Sequence, residues 1–130
     1  MYSIRLNEDA IVVKSSGVLT LDERKLIVGD LMTALDNEVA RPVLIDHRDA
    51  TISGTVQDAM SLSDYIADSK LLDRVDGVYA LVKDNTQSQK MVDITAMASL
   101  GLGKPINVCL ELAEVMKKSG VTSWPLPNDS

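Results

Sequence analysis

Pro42-Val43-Leu44-Ile45-Asp46-His47-Arg48-Asp49 is the stretch whose reading decides the fold. Val43-Leu44-Ile45 is a short unbroken apolar run, the pattern of a strand covered on both faces, and unbroken rather than alternating runs belong to parallel sheets. Arg41-Pro42 closes whatever helix precedes it, because the residue before a proline is driven out of helical geometry. Asp46 to Asp49 reads as the polar loop where the strand stops.

Upstream, Thr20 and Glu23 have the spacing of a capping box, and Ile27, Val28, Leu31, Met32 and Leu35 mark one face of a helix running to about Asn37. Before it, Ser3 to Leu6 and Ala10 to Val13 flank the turn chemistry of Asn7-Glu8-Asp9, which predicts a hairpin that Gly17-Val18-Leu19 leaves. Downstream, Thr55 and Asp58 repeat the capping spacing ahead of a helix carrying Val56, Ala59, Met60, Ser63, Ile66 and Ala67 and ending near Leu72. Gly77 to Val82 is a further buried-type strand. Lys83-Asp84-Asn85-Thr86 then leads into a helix with Met91, Ile94, Met97, Ala98 and Gly101. Ile106 to Leu110 is the last strand, and Leu112, Val115 and Met116 give a short final helix. Strands alternating with amphipathic helices require right-handed parallel crossovers. The expected fold class is therefore α/β, with a single mixed, mostly parallel sheet, an N-terminal β-hairpin and alternating helices. One domain over residues 1–121 and a loose tail at 122–130 are expected.

The 130 residues are 45% hydrophobic and 25% charged, enough for one domain with a real core. Aromatics are only 3% and Phe is absent, so Val, Leu, Ile, Met and Ala must fill that core, with Met60, Met91 and Met97 on its helical stripes. A formal net charge of −6 and no Lys/Arg run beyond Arg24-Lys25 and Lys117-Lys118 argue against nucleic acid and against an anionic membrane surface. No apolar stretch approaches the roughly 18 residues of a membrane span. Met1 to Arg5 lacks a cationic start followed by an apolar segment, so a cytoplasmic chain is expected, and its short, economical length suits a bacterial one. Cys109, the only cysteine, lies in an apolar strand and reads as a core thiol.

Catalytic signatures are missing. His47 is the sole histidine, there is no Gly-x-Ser-x-Gly elbow, and Cys109 is mid-strand, which argues against a hydrolytic triad. Asp46, His47 and Asp49 are metal-type residues, but neighbours on an extended segment point to opposite sides and no second ligand cluster accompanies them. Gly101-Leu102-Gly103 follows a helix and precedes a strand, the reverse of the order that cradles a phosphate, so it is a helix stop. No cofactor or metal is expected. Ligands of parallel sheets meet the loops beyond the strands' carboxyl ends, which makes Asp46, His47, Arg48 and Asp49 with Lys83, Asp84 and Asn85 the candidate partner- or ligand-binding residues.

Ser16 to Thr20, Pro42 to Asp46 continuing through Thr51, Gly77 to Val82, and Pro105 to Leu110 ahead of Glu111-Leu112-Ala113 together resemble the STAS-like domains. This is the fold of anti-sigma-factor antagonists and sulfate-transporter tails. The likeness covers residues 1 to about 121 and is nearest to the stand-alone bacterial type. It implies a non-enzymatic module that binds a protein partner through the second helix and the segment from Asp46 to Thr55. In the antagonists, a kinase-like regulator phosphorylates a hydroxyl after the Asp-ended strand. Here Ile52-Ser53-Gly54-Thr55-Val56 matches, with Thr55 nearest the acceptor position and Ser53 next, although the preceding Asp and following Gly of the signature are absent. The other reading of Thr55 is a helix N-cap, worth about 1 kcal/mol. An alternative is a small apolar-ligand or lipid carrier using a pocket of a few hundred Å³ between helices and sheet; an enzyme built on Asp46, His47 and Lys83 ranks last. A homodimer formed through exposed Met and Leu near the last helix is also an expectation.

Overall fold

In the computed structural model, which describes residues 1–122, a five-stranded sheet runs in sequence order. Its strands are β1 (Tyr2–Leu6), β2 (Ile11–Leu19), β3 (Val43–Ile52), β4 (Val78–Leu81) and β5 (Ile106–Cys109). β1 pairs antiparallel with β2, and every later neighbour is parallel. The helices are α1 (Leu21–Ala34), α2 (Val56–Ser69), α3 (Gln87–Ala98) and α4 (Leu112–Ser119). Positions 123–130 of the expected tail lie outside the described residues.

From β2 to β5 the chain steps across the sheet in one direction, and right-handed crossovers repeated in one direction place their helices on one face. The packing agrees. Ile11, Val13, Val43 and Ala80 share one buried cluster with Leu31 of α1, Leu62 of α2 and Met91 of α3. On the opposite face Val12, Leu44, Leu81 and Cys109 pack under Val115 of α4. Both faces being covered is why the strands read as unbroken apolar runs. Cys109 is fully buried, as its setting in the sequence implies.

Two expectations change. The methionine stripe is partial, because Met91 is buried whereas Met60 and Met97 are 47% and 71% exposed. On α4, Leu112 and Met116 pack against the sheet, while Leu100 and Leu110 in the segments before it are exposed. The larger change is at β3. Asp46 to Ala50 is strand, not loop, and β3 is ten residues long.

The cause of that length is its neighbour. β2 also continues, to Leu19, and its register with β3 shifts from Lys14 opposite Asp46 to Ser16 opposite Asp49. β3 has one more residue than β2 over this interval, a β-bulge at His47–Arg48. Because side chains alternate with a period of two, the extra residue reverses the faces: Val43 and Ile45 point to the helices before it, Ala50 and Ile52 after it. β4 stops with Leu81 opposite Asp46, so His47 to Ile52 extend beyond β4 as an overhang.

Candidate functional site

The overhang of β3 and the turn from β4 into α3 enclose a cavity of about 310 Å³. β3 contributes His47, Arg48, Asp49, Ala50 and Thr51, and the turn contributes Lys83, Thr86, Gln87 and Ser88. The two polar segments picked out in the sequence therefore do meet. Ser88 ties them together: its hydroxyl accepts from the Ile52 amide at 2.9 Å and contacts the Ala50 carbonyl at 3.4 Å. Thr86 caps α3, its hydroxyl accepting from the Gln89 amide at 3.1 Å, and Asn85 takes a left-handed conformation with its amide donating to Gln89 Oε1. Asp84 and Asn85 do not line the cavity.

Asp46 also lies elsewhere. It is on the α4 side of the sheet, 3% exposed, where Arg48 embraces it with Nε on Oδ1 at 3.0 Å and Nη2 on Oδ2 at 2.9 Å, while the Arg48 amide donates to Oδ1. Burial alone would raise the Asp46 carboxyl, but these hydrogen bonds and the charges of Arg48 and Lys14 outweigh it and hold it below the usual carboxylate range. The Asp46–Arg48 pair thus closes within β3, while His47 lines both cavities. Asp46, His47 and Lys83 do not converge.

His47 is 6% exposed, and its Nδ1 lies 2.6 Å from Ser15 Oγ. Ser15 Oγ also contacts the Asp46 carbonyl at 3.2 Å. A hydroxyl has one proton and a carbonyl can only accept. Both contacts are hydrogen bonds only if Ser15 donates to the carbonyl and accepts from Nδ1–H of His47. In the neutral imidazole, Nε2 is then the lone-pair nitrogen. Desolvation and the nearby Arg24 charge push its pKa down to about 4. The bulge and the Ser15 partner were invisible in the sequence, because only the register places Ser15 opposite the histidine.

Thr55 caps α2 in a full capping box: its hydroxyl accepts from the Asp58 amide at 3.2 Å and Asp58 Oδ2 accepts from the Thr55 amide at 2.9 Å. Its side chain is exposed. Ser53 is half-buried and its hydroxyl donates to the Leu19 carbonyl at 3.2 Å. Neither lines the polar cavity. Beside them, Val56 and Met60 are 56% and 47% exposed on the first turns of α2.

A second cavity lies between α1, α2 and the sheet, with nearly all-apolar walls but a volume of about 70 Å³. That is well short of the few hundred Å³ a lipid-sized carrier requires.

Solved structures match this architecture along nearly its whole length. An anti-sigma factor antagonist from Mycobacterium paratuberculosis superposes with a TM-score of 0.61 at 9% identity, over 92% of this chain and 93% of its own. The anti-sigma factor antagonist SpoIIAA in its unphosphorylated form gives 0.61 at 14% identity, over 95% and 100%. This is the STAS-like fold. An uncharacterised protein from Shewanella loihica described as having a SpoIIAA-like fold gives 0.56 at 13% identity, over 92% of each chain. No protein-family model and no curated protein matches the sequence. Within the STAS-like fold, the β3 overhang and the start of α2 form one continuous stretch of chain from the polar cavity to Thr55. No helix of the described residues is long and apolar enough to cross a membrane.

Proposed function

We propose that the chain is a non-enzymatic regulatory module of the cytoplasm that binds a protein partner through the exposed side of α2 and the segment from the β3 overhang to Thr55, and that phosphorylation at Thr55 switches this contact. The observation that carries the reading is the start of α2: an exposed threonine hydroxyl followed at once by the exposed apolar side chains of Val56 and Met60. The STAS-like fold supports it, since two of the matching structures are of anti-sigma factor antagonists. The polar cavity at the preceding strand's end offers both signs of charge, Lys83 and Asp49, for polar groups of the partner.

The switch follows from electrostatics. A phosphate on Thr55 adds close to two negative charges at a helix N-terminus, which the helix dipole favours, but directly beside the Asp58 carboxylate already bound to the Thr55 amide. The capping box must rearrange, and the apolar patch acquires a charged neighbour. Ser53, whose hydroxyl is engaged with Leu19, is the second acceptor. An enzyme of Asp46, His47 and Lys83 has no support from the site, because Asp46 is on the far face of the sheet.

Native mass spectrometry of the protein isolated from its own cells tests the reading. The expected result is a heteromeric complex for the unmodified chain and a single added phosphate, mapped to Thr55, on the uncomplexed chain. A bare chain with Thr55 unmodified, under growth and stress alike, contradicts it.

A further inference from the structure

Arg24 occupies the first turns of α1 and is only 6% exposed, and its amide donates to the Thr20 carbonyl at 3.0 Å, yet no described residue gives its guanidinium a hydrogen bond or an ion pair; Asp58 acts on it only through space. Burial lowers its pKa to about 10, which leaves the guanidinium charged at neutral pH. A buried cation without a hydrogen-bonded counter-ion is costly, and in folded proteins such charges are paired.

The same guanidinium-bearing residue lines the 70 Å³ cavity. Its apolar walls come from residues such as Leu31 of α1, Leu62 and Ile66 of α2 and Val92 of α3. Two other polar residues reach it. Thr95 is engaged, its hydroxyl donating within reach of the Ala59 and Met91 carbonyls. His47, the only residue shared with the polar cavity, is the neutral imidazole held by Ser15. Arg24 is thus the one charge on the wall of an otherwise apolar space, and no acidic residue lines it. A water occupies roughly 10–15 Å³ on this measure, so the space holds a few carbon atoms and not a lipid chain.

We propose that this cavity binds a short-chain aliphatic carboxylate, its carboxylate on the Arg24 guanidinium and its hydrocarbon between α1, α2 and the sheet. Guanidinium meets carboxylate in a bidentate, charge-assisted pair, which supplies orientation as well as attraction. The site lies beneath α2, on the opposite side of that helix from Val56 and Met60, and does not depend on the partner-binding reading.

The chain's single histidine gives one imidazole signal, and His47 touches the cavity, so nuclear magnetic resonance reads occupancy directly. Titrating the protein with butyrate at pH 7 and constant ionic strength is expected to move the His47 signal saturably, with a Kd on the order of 1 mM given so few ligand atoms. Butyramide, the same shape without charge, and sodium chloride should leave it in place. Arg24→Met, which replaces the charge with an apolar chain of similar length, should keep the folded spectrum and weaken butyrate by about tenfold or more; Arg24→Lys, which retains the charge if Arg24→Met fails to fold, should weaken it less. Absence of saturable movement, equal movement with butyramide, or unweakened binding by the folded variants overturns the proposal. Octanoate binding more tightly than butyrate overturns the size assignment.

Discussion

His47 shows what burial does to a single residue. Its neutral form is favoured in the fold, with a pKa of about 4 against an ordinary 6.5, so between those values the unfolded chain takes up a proton that the folded chain refuses. Stability from this residue is complete above about pH 6.5 and is lost as the pH falls toward 4, by roughly 3 kcal/mol in all. Urea unfolding at pH 7 and pH 4.5 should show that loss, and His47→Gln should flatten the profile over this window. Thr55 is the other test at this scale. Thr55→Ala removes one side of the capping box and should cost about 1 kcal/mol, while Thr55→Ser, which keeps the acceptor oxygen, should cost much less. Thr55 and Asp58 were legible as a pair from spacing alone, because a capping box is a local device. The roles of His47 and Arg24 were not, because each is defined by what lies across the sheet or under a neighbouring helix.

At the scale of elements, the apolar runs and capping signals located the five strands and the four α-helices, but β2 runs on to Leu19 and a separate 3-10 turn at Leu71–Asp73 follows α2; the misreading of β3 has a physical origin. Asp46-His47-Arg48-Asp49 has the composition of a loop, and local propensity favours ending the strand there. Pairing with β2 overrides it: the Asp46–Arg48 ring, the Ser15 contact with His47 and the shifted register each satisfy polarity inside the sheet. Met60 and Met97 were misassigned for a related reason, since periodicity identifies a helical stripe but not how wide the covered part is. The overhang depends on Ser88. Ser88→Ala leaves the buried Ile52 amide without its acceptor and should cost about 1–3 kcal/mol, with faster hydrogen exchange at Ile52 than at Leu44 in the sheet centre. Gly54, at φ +122, shows how tightly the next turn is built, for an added Cβ would lie 2.4 Å from Asp58 Oδ2. Gly54→Ala should therefore destabilise the start of α2 beyond the loss seen for Thr55→Ala, in the same urea experiment.

For the whole molecule, one-directional crossovers put three helices on one face and leave α4 to cover the other, so α2 is central among the outer helices and its far side is presented to solvent. The polar cavity, the Ser53–Thr55 turn and the α2 surface follow one another along a single stretch of chain, and a modification in the middle of that stretch acts on both its neighbours. The apolar cavity lies on the inner side of the same helix. The most direct test of partner binding is a photo-crosslinking amino acid placed at Met60 and, in a second version, at exposed Val39, well away in the sequence and outside every element, with both expressed in the protein's own cells. The account predicts one discrete heteromeric adduct from Met60, lost in Thr55→Glu and absent from Val39. Adducts only to a second copy of this chain, equal adducts at both positions, or none at Met60 would contradict it.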